Sequence, residues 1–283
     1  MKKTTLEEFR QELLATGSYH TADSHCREIR AVPSAWTTFT FSLGVFHVFP
    51  MCMVAEPIGR LTTDRWAHYC FRTVQNAEKL GMRVHLEGWK QRQDYSGPVV
   101  YVCNHLSGTE TILLPPVLMT YGPFNVVTKA SLAHLPFLEK AAAHMGIVPI
   151  GRKSPREDLM KLLTVGCEKI AQGNSFLIFP QGTRSAVFDQ KHFSSIGAKL
   201  AERAGVPVVP IAVDTRSQLP RTKGLLKKAF HDFGPVDPSY DIRCVCGPVI
   251  QASKAREMHE KSYEWIATQL ESWGMPTKRL EKI

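Results

Sequence analysis

Five short apolar runs, interleaved with helix-like stretches, constrain this chain more than any other feature. They are PVVYVC (98–103), FNVVT (124–128), IVPI (147–150), SFLIFP (175–180) and VPVVPIAV (206–213). A strand that is apolar at every position belongs to a sheet covered on both faces, which is the habit of parallel sheets. The intervening stretches carry helix signals. Ser154 can cap a helix with Pro155 in its first turn, Glu157 and Asp158 complement its dipole, and Leu159, Leu162, Leu163 and Ile170 form its apolar face up to Gly173. Further helices are predicted after Arg60 up to Gly81, from about Phe193 to Ala204, and from about Ser253 to Trp273. MRVHLEG (82–88) and the Cys244-x-Cys246 stretch alternate as half-buried strands do. The alternation predicts an α/β fold with a mainly parallel central sheet flanked by helices, over residues 81–283. Residues 1–80 read as a helical region, beginning with a short amphipathic helix on Leu6, Phe9 and Leu13, capped by Thr5 and Glu8.

Residues 31–55, AVPSAWTTFTFSLGVFHVFPMCMVA, contain no Asp, Glu, Lys or Arg. Their length is close to the ~20 residues of a bilayer span. Thr and Ser residues, His47, Pro50 and five aromatic rings favour a segment lying in the interface or half inserted. A true span and a buried core helix are the alternatives. The net charge of +9 favours an anionic partner, and no nucleic-acid-binding motif accompanies it. The expectation is a protein attached to an anionic membrane surface on the cytoplasmic face. Seven dispersed cysteines without a CxxC pair suit reduced thiols, and no secretory signal precedes them.

Chemistry in such folds gathers beyond the carboxyl ends of the strands. Two residues past Cys103 stands His105, in NHLSGTE (104–110), and Glu110 follows five residues later. Inside one helix that offset turns the two side chains about 140° apart. They can meet only if His105 is in the loop and Glu110 in the first helical turn. Ser107-Gly-Thr-Glu110 has the pattern of a capping box that would place them so. The same box supplies a second reading, in which the Glu110 carboxylate is used on the Ser107 N–H and does not touch His105. Cys103 is a third candidate, as a nucleophile, against a buried and inert thiol.

FLIFPQGTRS (176–185) repeats the arrangement: an apolar strand, then a turn with Gly182, Thr183 and Arg184. Gly151-Arg152-Lys153 is another basic turn after a strand. Arginine can hold phosphate by paired hydrogen bonds. A base beside two arginines suits transfer of a group onto a hydroxyl of a phosphorylated substrate. RSQLPRTKGLLKK (216–228) adds five basic residues and no acid, as a solvated loop or a contact for anionic headgroups or acidic acyl carrier protein.

Together these stretches resemble the glycerolipid acyltransferase family, which includes 1-acylglycerol-3-phosphate acyltransferases. NHLSGTE resembles its NHx4D/E motif and FPQGTRS its FPEGTRS motif. GIVPIGR resembles its second motif and AGVPVVPIAV its fourth, in matching order over about residues 65–215, and VTKASLAHLPFL with Lys129 resembles the segment between the first two motifs. The resemblance implies a glycerol-3-phosphate acyltransferase-like fold. It implies acyl transfer from acyl-CoA or acyl carrier protein to a lysophospholipid hydroxyl, without a metal or other cofactor and without an acyl-enzyme. His105 would be the general base and Glu110 the acid that orients it. Arg152, Gln181, Gly182, Thr183, Arg184 and Lys129 would form the acceptor site. Two positions depart from the family pattern. Glu110 stands where most glycerolipid members have Asp, and the neutral Gln181 stands where the family has Glu. A non-catalytic lipid-binding relative and an acyl-thioesterase are the other functions compatible with this reading.

Overall fold

The computed structural model of the chain describes residues 3–130, 142, 144–151, 154–218 and 234–280. The N-terminal region is built from α1 (Leu6–Thr16), the two-residue strand β1 (Tyr19–His20), α2 (Ala35–Phe46), α3 (Val48–Ala55) and α4 (Thr63–Lys79). The expected capping box of α1 forms in full, with Glu8 N–H on Thr5 Oγ1 and Thr5 N–H on the Glu8 carboxylate. There follow β2 (Val84–Glu87), the short α5 (Lys90–Gln93), β3 (Val100–Cys103), α6 (Thr109–Leu118), β4 (Phe124–Lys129) and β5 (Ile147–Ile150). Next are α7 (Pro155–Ala171), β6 (Ser175–Ile178), β7 (Phe188–Asp189), α8 (Ile196–Ala204) and β8 (Val208–Asp214). The described chain closes with β9 (Ile242–Cys246), α9 (Ala255–Ser272) and β10 (Thr277–Lys278).

Eight strands form one sheet in the order β1-β2-β9-β8-β3-β6-β4-β5. The run β8-β3-β6-β4-β5 is parallel throughout, and these are the five apolar runs of the sequence. β9 is antiparallel to β8 and parallel to β2, so the sheet reverses direction at that junction. Side chains leave alternate faces of each strand, and here both faces are covered. Tyr101 and Cys103 of β3 pack with Phe9, Phe41, Trp66, Phe71 and Leu113 of α1, α2, α4 and α6. Val100 and Val102 of the same strand pack with Leu162, Leu200, Met258 and Ile266 of α7, α8 and α9. That explains why β3, β6 and β8 are apolar at nearly every position while β2 and β9 alternate. The core runs across residue 80, and β1 joins the edge of the same sheet by pairing with β2.

The uncharged segment forms two consecutive helices, α2 and α3, parted at His47. Together they make a stretch of 21 residues, Ala35–Ala55, long and apolar enough to cross a membrane. Phe41, Val45, Val48 and Cys52 pack into the core, whereas Trp36, Phe39, Leu43 and Val54 are more than half exposed. The segment is therefore a surface helix pair with one face in the core and an apolar face outward.

Gly88, one residue past β2, has φ +77°, and a Cβ there would lie 2.2 Å from the carbonyl oxygen of Cys246. Gly88→Ala should lower the stability of the sheet by about 1–3 kcal/mol in urea unfolding, since backbone at that distance cannot yield cheaply.

Candidate active site

Parallel β3, β6 and β8 are neighbours, so their carboxyl ends open on one edge of the sheet. The chain leaving β3 is fixed first by Asn104. Its amide donates to Val213 O at 2.9 Å and accepts from Val213 N–H at 2.8 Å, continuing the pairing with β8 through a side chain. The next residue is His105, in the loop before α6, as the five-residue offset requires. Its Nδ1 lies 2.9 Å from Glu110 Oε1. A carboxylate there can only accept, so Nδ1 carries the proton and Nε2 is the nitrogen left to act as a base. The imidazole also stacks on Phe179, with ring centroids 4.4 Å apart.

Glu110 is fully buried. Its Oε1 accepts from His105 Nδ1, from Leu106 N–H at 2.7 Å and from Ser107 N–H at 2.7 Å. Its Oε2 accepts the hydroxyls of Ser107 at 2.7 Å and Thr215 at 2.8 Å. Burial pushes this carboxyl upward, but the hydrogen bond and charge of His105, with the Ser107 donors, outweigh it and hold it below the usual carboxylate range. The Glu110 carboxylate thus takes the Ser107 N–H and also pairs with His105, which removes the reading in which it does not touch His105. The capping box itself forms only by half. Gly108 is the N-cap and makes no side-chain cap, so α6 starts one residue later than the pattern predicts. The Ser107 hydroxyl is committed to Glu110 and accepts from Thr109 N–H rather than Glu110 N–H. Cys103 is fully buried and burial drives its thiol well upward, which removes it as a nucleophile.

The turn after β6 clamps the His105 backbone from the other side. Gln181 Oε1 accepts the His105 N–H at 2.9 Å, and Ser185 N–H donates to His105 O at 2.9 Å. Between them Gly182, at φ +67°, donates its N–H to Phe179 O and closes a Pro-containing turn. Thr183 is exposed on this turn and Arg184 half-buried. Gln181 therefore touches the His105 backbone, a contact that needs an acceptor oxygen and no charge. Its Nε2 donates to Val187 O at 3.4 Å, which a carboxylate cannot do.

Lys129 ends β4 on the same edge of the sheet and is exposed. Gly151, which ends the β5 run, is on that edge too, but Arg152 and Lys153 lie outside the described residues, as do residues 219–228 of the basic stretch. Arg216, which is described, forms a forked pair with Asp214 at 2.7–3.1 Å. The contributions of Asn104, Phe179 and Thr215 escaped sequence reasoning. The one signal for Thr215 is the abrupt polar run Asp-Thr-Arg-Ser-Gln (214–218) after a wholly apolar strand. This run also reaches α6 and α2. Gln218 Oε1 accepts the Thr109 hydroxyl at 2.5 Å, Gln218 bridges to Val236, and Val236 N–H donates to Thr38 Oγ1 at 3.0 Å.

A buried carboxylate on a loop histidine, beside a Gly-Thr-Arg turn, is the arrangement that the resemblance implied. The profile of the family described as Acyltransferase matches residues 72–214, half of the chain. The chain belongs to the acyltransferase family. A 1-acyl-sn-glycerol-3-phosphate acyltransferase of Pseudomonas aeruginosa is 30% identical over 175 residues, which are 60% of this chain and 63% of that protein. The lyso-ornithine lipid O-acyltransferase of the same organism is 29% identical over 137 residues, 48% of this chain and 49% of that one. The chain thus spans less than two thirds of either relative. The crystal structure of the 1-acyl-sn-glycerophosphate (LPA) acyltransferase PlsC from Thermotoga maritima superposes with a TM-score of 0.61 over 87% of this chain and 97% of that one, at 18% identity. That likeness shows that the two share a fold.

Two outcomes are expected. Gln181→Leu removes the acceptor of the His105 N–H and should destabilise the protein by about 1 kcal/mol or more in urea unfolding, while Gln181→Glu keeps the acceptor and should lose less. Because folding depresses the Glu110 carboxyl, its contribution is full above the unfolded value and is lost as pH falls through the folded one. The stability gap between wild type and Glu110→Gln, followed by thermal unfolding, should therefore be widest near neutrality and close below the usual carboxylate range.

Proposed function

We propose that this chain transfers a fatty acyl group from a thioester, acyl-CoA or acyl carrier protein, to the free hydroxyl of a lysophospholipid such as 1-acylglycerol-3-phosphate. The observation that carries the reading is the 2.9 Å contact of His105 Nδ1 with the buried Glu110 carboxylate, which leaves Nε2 as the base. Nε2 removes the proton of the acceptor hydroxyl as its oxygen attacks the thioester carbonyl. Glu110 keeps the ring in the required tautomer and stabilises the imidazolium. Collapse of the tetrahedral adduct breaks the carbon–sulfur bond, and the imidazolium returns the proton to the departing thiolate. The products are an ester and a free thiol, with no acyl-enzyme.

Thr183 and Arg184, on the turn clamped to His105, serve the acceptor phosphate, with Gly182 allowing close approach. Lys129, at the end of β4, extends the basic edge, and the family resemblance assigns Arg152 to the acceptor phosphate. Gln181 acts through the His105 backbone as a positioning residue. The outward apolar face of Ala35–Ala55 attaches the protein to the cytoplasmic face of a membrane, where a lysophospholipid resides. The names of the relatives support both a phosphate-bearing acceptor and a lyso-ornithine one. The basic turn beside His105 favours the former.

Mass spectrometry of products formed from acyl-CoA or acyl carrier protein thioesters with each acceptor tests this. Ester should form with 1-acylglycerol-3-phosphate, and His105→Ala should reduce its rate by about 10²–10⁴-fold. Free fatty acid released equally with and without acceptor would instead mark a thioesterase. Turnover unaffected by His105→Ala would remove the reading.

A further inference from the structure

A second basic feature lies outside the strand-end site, on the helical N-terminal region. α4 presents His68, Arg72, Gln75, Asn76 and Lys79 at helical spacing along one face. That face, with Lys3 ahead of α1, Leu43 of α2 and His47 between α2 and α3, walls a cleft of about 620 Å³. Lys3, Arg72 and Lys79 bring three cations to it, and none of the described residues lining it is acidic. One of its donors, Asn76 Nδ2, is buried without a hydrogen-bond partner among the described residues. Asn76 has room there because residue 44 is glycine. A Cβ at that position would lie 1.6 Å from Asn76 Nδ2. A concave basic wall with an unsatisfied amide donor is suited to an oxyanion.

The cleft also continues an apolar stripe. Trp36, Phe39 and Leu43 lie on one face of α2 at 72%, 55% and 59% exposure, and Leu43 is shared with the cleft wall. Apolar side chains beside cations are the layout of a surface that meets acyl chains and headgroups together. We propose that this cleft holds the headgroup phosphate of an anionic phospholipid in the membrane on which α2 rests. The site is separate from His105 and sets the preference of the protein for anionic over zwitterionic bilayers. It rests on the membrane attachment proposed above and not on the acyl-transfer reading.

The test is flotation of the full chain with vesicles of phosphatidylcholine alone and of phosphatidylcholine mixed with phosphatidylglycerol, at fixed ionic strength. Wild type should prefer the mixed vesicles. Arg72→Gln with Lys79→Gln should weaken binding to them about 25-fold, roughly fivefold per cation, and leave binding to phosphatidylcholine unchanged. The control is Lys254→Gln with Arg256→Gln, which removes the same two charges from side chains that are 90% and 88% exposed on another face. It should retain the preference. Equal losses in both double variants would mean that bulk charge alone is at work and would overturn the site. Wild type binding both vesicles equally would also overturn it while keeping the attachment. Wild type binding neither would remove attachment and site together. Displacement by inorganic phosphate at matched ionic strength would assign the cleft to a free anion and overturn the lipid assignment. None of these readouts depends on turnover, so a failed acyl-transfer assay leaves them interpretable.

Discussion

The buried carboxylate of Glu110 is the constraint on which the local structure depends. An ionised carboxylate taken out of water costs several kcal/mol unless its oxygens are saturated with donors. Here five donors are supplied: one ring nitrogen, two backbone N–H groups and two hydroxyls. They come from the loop after β3 and from the residue after β8. Fixing them fixes the path of residues 105–107 and the start of α6. The positive end of α6 adds to the same effect. His105 is therefore held at Nδ1 by an anion that is ionised before any substrate arrives. That is the condition under which an imidazole can accept a proton at Nε2 without reorganising its surroundings.

The backbone of His105 is fixed by a second, independent set of bonds. Gln181 and Ser185 take its N–H and its carbonyl, and Phe179 lies against its ring. These residues follow β6, which pairs with β3, while Asn104 ties the end of β3 to β8. His105 is thus referenced to three strands of one sheet rather than to a loop. The neutral Gln181 fits this role as well as a carboxylate would, because the atom in use is an acceptor oxygen. Its departure from the family pattern therefore leaves the contact with the His105 backbone in place.

Much of the architecture was legible in the sequence, for a physical reason. Strands buried on both faces must be apolar throughout, and the five apolar runs are the five parallel strands of the sheet. What local patterning could not give was direction and distance. β9 alternates as expected, yet alternation is the same in parallel and antiparallel strands, so its antiparallel pairing with β8 leaves no local mark. β1, β7 and β10 are two residues each, too short for any periodicity. At the site, the meeting of His105 with Glu110 followed from helical geometry over five residues. Thr215, 105 residues away from Glu110, left only a polar run after a strand. The start of α6 slipped by one residue because the Ser107 hydroxyl serves the carboxylate instead of the cap.

The same polar run joins the site to the surface. Thr215 bonds Glu110, Gln218 bonds the first residue of α6, and the bridge from Gln218 to Val236 ends on Thr38 in the first turn of α2. Trp36, two residues earlier, is largely exposed. The start of the outward apolar helix is therefore fixed relative to the start of the helix that carries Glu110, through hydrogen bonds rather than by a flexible tether. An acceptor embedded in a bilayer has its hydroxyl near the headgroup level, and a base can reach it only if the protein sits at one depth and one tilt. A hinged anchor would leave both free. A helix bonded into the scaffold around His105 would set them, so on the proposed membrane attachment orientation is a property of the same fold that positions His105.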